Sequence, residues 1–198
     1  MNHLLQFKSL KNRYFSLRHG EAKSNVLGIL VSDPQNGLND FGLTDFGKQQ
    51  VMEIIKNQNF LDHKTIIYSS DFLRTKETAE IVQNILNTAD VHLDFRLRER
   101  YFGDFEKMDF NYYQLISAKD VNNNAQQEHH AESILEVQDR ITALVAELEE
   151  KYIGQNILLV SHGDPLQILE ASFAVHEVFN HRYIIMPHKG ELRELVLK

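Results

Sequence analysis

Tyr14-Phe15-Ser16-Leu17-Arg18-His19-Gly20-Glu21 is the stretch on which the reading of this chain turns. A short apolar run, the length of a buried strand, leads straight into an arginine and a His-Gly pair. A second run, Asn156 to Ser161, ends the same way, in His162-Gly163. In open α/β sheets, ligands gather beyond the carboxyl ends of the strands. If these two strands lie side by side, the two histidines share one pocket, and Arg18 marks it as a pocket for phosphate.

The rest of the chain supports such a sheet. Thr65 to Tyr68 is a β-branched and aromatic strand that ends in the cap-type residues Ser69-Ser70-Asp71. Thr44 is placed to cap a helix from about Asp45 to Asn57. Phe72 to Leu86 has helical spacing, with Arg74 in its first turn. Ile134 to Tyr152 carries one apolar stripe and is stopped by Gly154. Asp164 is read as the cap of a last helix, with Pro165 at its first position. Gly28 to Gly42 reads as a loop, and Tyr183–Met186 with Glu191–Leu197 as a late antiparallel pair. Strands alternating with helices predict an α/β three-layer sandwich with a mostly parallel central sheet.

Composition narrows the function. The 198 residues imply a single domain, 1–198, with a flap at about 102–130. The absence of cysteine removes disulfides, zinc thiolates and thiol nucleophiles. A formal net charge of -7 argues against nucleic-acid partners, so any anion site is local. No apolar run approaches the roughly 20 residues of a membrane span. The Met1 to Arg13 segment has the wrong order for a secretory signal, so a cytoplasmic protein with no membrane partner is expected. Oligomeric state is not legible.

The chemistry these residues allow is phosphoryl transfer. A neutral imidazole attacks phosphorus and divides one hard displacement into two easier ones. Arg18 and Arg74 favour the uncharged ring by repulsion. Arg18, Arg74 and His162 supply donors to the non-bridging oxygens, and amides at the start of the last helix add a dipole of the right sign. The leaving group needs a carboxylic acid partly protonated near neutral pH. Glu99, Asp104, Glu106 and Glu21 are all candidates, and position does not choose between them. The charged run Arg96 to Arg100 otherwise reads as a solvated face, and His129-His130 as exposed polar loop.

Taken together, the motifs resemble the phosphoglycerate-mutase-like branch of the histidine phosphatase superfamily. Leu17-Arg18-His19-Gly20-Glu21 with Asn25, then Gly42-Leu43-Thr44 with Gly47, match its opening blocks. Ser69 to Arg74, Leu97-x-Glu99 with Gly103, Glu132-Ser133 with Arg140, and Val160 to Gly163 follow in its order. The resemblance spans roughly residues 14 to 170. It implies that His19 is the nucleophile and Glu99 the proton donor. Arg18, Arg74, His162 and Gly163 would form the phosphate pocket, Asn25 would line the substrate side, and no metal or organic cofactor would be used. The expected activity is hydrolysis of a small phosphorylated metabolite. A mutase using the same intermediate is the alternative, and a non-catalytic phosphate-binding module a third reading. Phe110 to His130 holds no arginine and one lysine, Lys119, which favours the phosphatase. Ala131 and Asp164-Pro165 depart from the usual pattern.

Overall fold

The computed structural model describes residues 1–120, 127–174 and 178–198. The sheet contains β1 (Arg13–Arg18), β2 (Ile66–Ser69), β3 (His92–Leu93), β4 (Asn156–Ser161) and β5 (Leu192–Leu195), in the order β3-β2-β4-β1-β5. Every pairing is parallel except that of β5 on β1. The helices are α1 (Lys23–Leu27), α2 (Pro34–Gly37), α3 (Asp45–Asn57), α4 (Leu73–Leu86), α5 (Tyr113–Asp120), α6 (Ile134–Lys151) and α7 (Gly163–Phe173).

Alternation along β4 produces the three layers. Ile157 and Leu159 join Leu144, Leu148 and Leu169 of α6 and α7 in one core. Leu158 and Val160 point the other way, into a core with Val51 and Ile55 of α3 and Val82 of α4. A strand buried on both faces reads as a continuous apolar run, as Ile157 to Val160 does.

Register sets the site. Arg18 lies opposite Ser161 in the β1–β4 ladder, and the His19 amide donates to the Ser161 carbonyl at 3.1 Å. The two histidines therefore leave the sheet together. Ser69 pairs with Val160, and the Ser70 amide donates to the Val160 carbonyl at 3.0 Å. The first turn of α4, and with it Arg74, starts from the same end.

Several expectations are corrected. Tyr183 to Met186 is not a strand: Val178–Tyr183 is 3-10 helical, and β5 pairs with β1 instead. Tyr183 and Ile185 are 84% and 75% exposed, so that segment has no apolar face to bury against the sheet. The 28–42 loop contains α2, because Asp33 caps the Gln35 amide and Pro34 fits the first turn. Asp164 does not cap α7. His162 occupies the cap position, and the Asp164 carboxylate is drawn to the guanidinium groups of Arg100 and Arg182. In the 102–130 segment, residues 103–105 and 110–120 form short turns and α5. The centre of the expected flap, 121–126, lies outside the described residues.

Candidate active site

His19 is 2% exposed, at the strand end. Its Nδ1 lies 2.7 Å from the Gly20 carbonyl, which only a protonated Nδ1 can satisfy. Nε2 is left with its lone pair, 3.2 Å from Arg74 Nε. The same Nε lies 3.2 Å from His162 Nδ1. His162 therefore carries its proton on Nε2, which donates to Ser70 Oγ at 3.0 Å. The two rings meet edge to face with centroids 5.2 Å apart. Burial, reinforced by the Arg74 charge, holds both imidazoles well below their usual protonation range.

The surrounding backbone has no room for side chains at two points. A Cβ on Gly20 would sit 2.3 Å from the Gly47 carbonyl oxygen, and one on Gly47 would sit 2.0 Å from that of Glu21. The motif glycines thus let the chain after His19 press against α3. Gly163 leaves room for side chains instead: a Cβ there would lie 2.8 Å from Met186 Sδ and 3.1 Å from Arg18 Cζ. Phe72 supports the cluster from behind, with its ring 5.4 Å from the His162 ring and 5.1 Å from Arg74 Cζ.

Two arginine nitrogens stand out. Arg18 donates from Nη1 to the Pro187 carbonyl at 2.8 Å, and Arg74 donates from Nη2 to the Val31 carbonyl at 2.9 Å. Arg18 Nε and Arg74 Nη1 are buried without a hydrogen-bond partner. Burial lowers the pKa of Arg74 to about 10, so it remains a cation near neutral pH. Unsatisfied buried donors of this kind cost free energy unless a ligand meets them.

The acid candidates separate. Glu99 lines the pocket with Arg18, His19 and Arg74. Burial and then the neighbouring Asp164 carboxylate push its pKa up to about 7. Glu106 instead holds the 32–36 turn, accepting from Ser32, Asp33 and Asn36. Glu21 accepts from Thr44 Oγ1 at 3.0 Å, and Asp104 pairs with exposed His130 at 2.9 Å. The Glu132-Ser133 and Arg140 block acts on Glu99 from a distance. Glu132 clamps Arg140 at 2.7 and 2.9 Å, and Arg140 donates to the Arg96 and Glu99 carbonyls at 2.5 and 3.2 Å.

Asn25 lines the pocket, although its Oδ1 is engaged by the Ala22 amide at 2.9 Å. Gly163 lines it too, while His162 lies behind Arg74. The cavity volume is about 50 Å³. Ser70 and Tyr113 were not singled out by sequence. The sequence marks Ser70 only as a cap-type residue, and Tyr113 reaches the site only through the fold of 103–120. Among the described residues, no group of three or more His, Asp or Glu side chains is arranged to hold a metal ion. No helix among them is long and apolar enough to cross a membrane.

Fold and site define a three-layer α/β protein of the histidine phosphatase type. The sequence matches the histidine phosphatase superfamily (branch 1) over residues 15–197, and the chain belongs to that family. It is similar to the probable phosphoglycerate mutase GpmB of Salmonella typhi, with 34% identity over 167 residues, 78% of this chain and 71% of that one. Bacillus stearothermophilus YhfR shares the fold with a TM-score of 0.76 and 26% identity, over 92% of this chain and 90% of its own. A mycobacterial glucosyl-3-phosphoglycerate phosphatase, solved with VO3, superposes with a TM-score of 0.73 and 25% identity, over 92% and 91% of the two chains.

Proposed function

We propose that the chain is a metal-independent phosphomonoesterase that works through a phosphohistidine on His19 and acts on a small phosphorylated metabolite in the cytoplasm. The observation that carries this reading is a neutral His19 with its Nε2 lone pair facing two guanidinium groups that each keep a buried, unpartnered N–H.

In the first step the Nε2 lone pair attacks phosphorus, and the P–O bond to the leaving group breaks. Glu99, a carboxylic acid at neutral pH or slightly below, gives its proton to the departing alkoxide oxygen. Arg18 Nε and Arg74 Nη1 take the charge on the non-bridging oxygens. A dianion raises the proton affinity of His162, which then donates from Nδ1 once Arg74 Nε turns to the phosphoryl group. In the second step the Glu99 carboxylate removes a proton from water, the oxygen attacks phosphorus, and the P–N electrons return to Nε2. Inorganic phosphate leaves.

A mutase reading draws on the relatives bearing that name. It needs cations for a second acidic group, and Arg18 and Arg74 are the only cations lining the pocket among the described residues. The test is an alkaline quench during turnover, followed by mass spectrometry. Wild type carries phosphate on His19, releases inorganic phosphate without a bisphosphate primer, and is unaffected by chelators. Equal turnover by His19→Ala overturns the proposal.

A further inference from the structure

Opposite the phosphate donors, the pocket wall is apolar and aromatic. Phe102 and Tyr113 meet edge to face at 5.7 Å, and Tyr113 stacks on Phe110 at 5.3 Å with 17° between the rings. Phe110 is 51% exposed, so one end of this row of rings remains open to a partner. Ile29 and Met186 line both the pocket and the hollow that adjoins it. An isolated bridge from Ile29 to Asp109, and a 2.7 Å bond from the Phe110 amide to the Gly28 carbonyl, fix Phe110 beside Ile29.

The Tyr113 hydroxyl and the carboxylates behind that wall are already paired. Tyr113 donates its hydroxyl hydrogen to Asp164 and accepts from Arg182. Arg100 makes a two-pronged pair with Asp120 at 2.7 and 2.9 Å and reaches Asp164 at 3.4 Å. Arg182 pairs with Asp164 at 2.8 Å and with Asp120 at 2.7 Å. Two guanidinium groups face two carboxylates, and the network offers the pocket no net positive charge. The two cations that do line the pocket, Arg18 and Arg74, match one phosphate dianion. Lys189 borders the adjoining hollow, but it lies 3.9 Å from the Glu21 carboxylate.

Building on the phosphatase reading, we infer that the Phe102–Tyr113–Phe110 wall is the leaving-group subsite and that it takes an uncharged alcohol bearing an aromatic ring. A carboxylate or a second phosphate meets apolar rings and Asp164 there, and pays its dehydration without a cation in return. An aromatic ring gains by burial and by stacking on the exposed Phe110 ring, which Tyr113 backs from behind.

Alkyl esters of matched leaving-group strength test this: 2-phenylethyl phosphate, glycerol 1-phosphate and 3-phosphoglycerate. The first is expected to exceed the second in kcat/KM by about tenfold or more, the worth of taking one aromatic ring out of water. The third should be slowest. Phe110→Ala should lose about tenfold more with 2-phenylethyl phosphate than with glycerol 1-phosphate. Equal values for the three esters, a preference for 3-phosphoglycerate, or a uniform loss in Phe110→Ala overturn the inference and leave the phosphatase reading standing. Calorimetry with 2-phenylethylphosphonate and methylphosphonate reads the subsite without turnover. About tenfold tighter binding of the first supports the subsite even if no ester is hydrolysed, a result that would sink the phosphatase reading alone. Equal binding of the two sinks the subsite.

Discussion

Two buried clusters of charge lie on either side of one pocket, and they are built from similar parts to opposite ends. Arg100, Asp120, Asp164 and Arg182 pair cation against anion, two of each, with Arg182 Nε left unmet. Arg18, Arg74, His19 and His162 contain no anion, and two of their guanidinium nitrogens go unmet. The first cluster ties residues distant in sequence into one scaffold. The second holds like charges and neutral rings together at a cost that only an arriving anion offsets. The presence of carboxylates, rather than burial, separates a structural charge cluster from one that waits for a ligand.

Substitutions should divide along that line. His19→Ala is expected to lower phosphatase turnover by ~10⁴-fold or more, as loss of a nucleophile does. Its cost in stability should stay below that of breaking the carboxylate-paired cluster, as thermal unfolding of the two variants will report. Asp120→Ala leaves Arg100 buried with its main partner gone, so a loss of about 3–5 kcal/mol is expected. In a domain of this size that corresponds to a melting temperature lower by roughly 10 °C. If Asp120→Ala melts like wild type, the contrast between the clusters is wrong.

Glu99 sharpens the comparison because it feels both clusters: Arg74 and Arg18 lower its pKa, while burial and Asp164 raise it. The raising influences prevail, to about 7. The acid form is the competent one for the first step, so kcat/KM should fall as pH rises through about 7. Glu99→Gln should lose most activity and that alkaline limb together. The same shift bears on stability. The folded state holds the Glu99 proton more tightly than the unfolded chain, so wild type loses stability as pH rises from about 4.5 through 7. Glu99→Gln should therefore be more stable than wild type at pH 8 by up to about 3 kcal/mol, a melting temperature higher by roughly 6–12 °C, with the gain fading towards pH 5. An unchanged pH profile would remove Glu99 from the proton-donor role.

Much of the scaffold was legible because its signals are local. The apolar runs before Arg18 and His162, the Thr44 cap and the α6 stripe each declare an element within a few residues. The spacing of both histidines from their strands even anticipates their meeting, since parallel register does the rest. The Arg100–Asp120–Asp164–Arg182 cluster was not legible. Arg100 reads as part of a solvated run, yet it is fully buried, because its partners lie 20 and 64 residues away. Asp164 has the local pattern of a helix cap, and a pair of distant guanidinium groups outbids the helix for it. Tyr183 to Met186 has strand composition, yet Tyr183 and Ile185 face solvent and the segment stays outside the sheet.

If the carboxylate-free cluster of Arg18, Arg74, His19 and His162 is an anion site, orthovanadate should saturate it. With a chelator present, the wild-type protein is expected to bind one equivalent in competition with inorganic phosphate. Arg74→Gln should weaken that binding by about 10²-fold or more, as loss of a charged donor to the trigonal oxygens would. No saturable binding, or equal binding by the folded Arg74→Gln protein, would contradict the account.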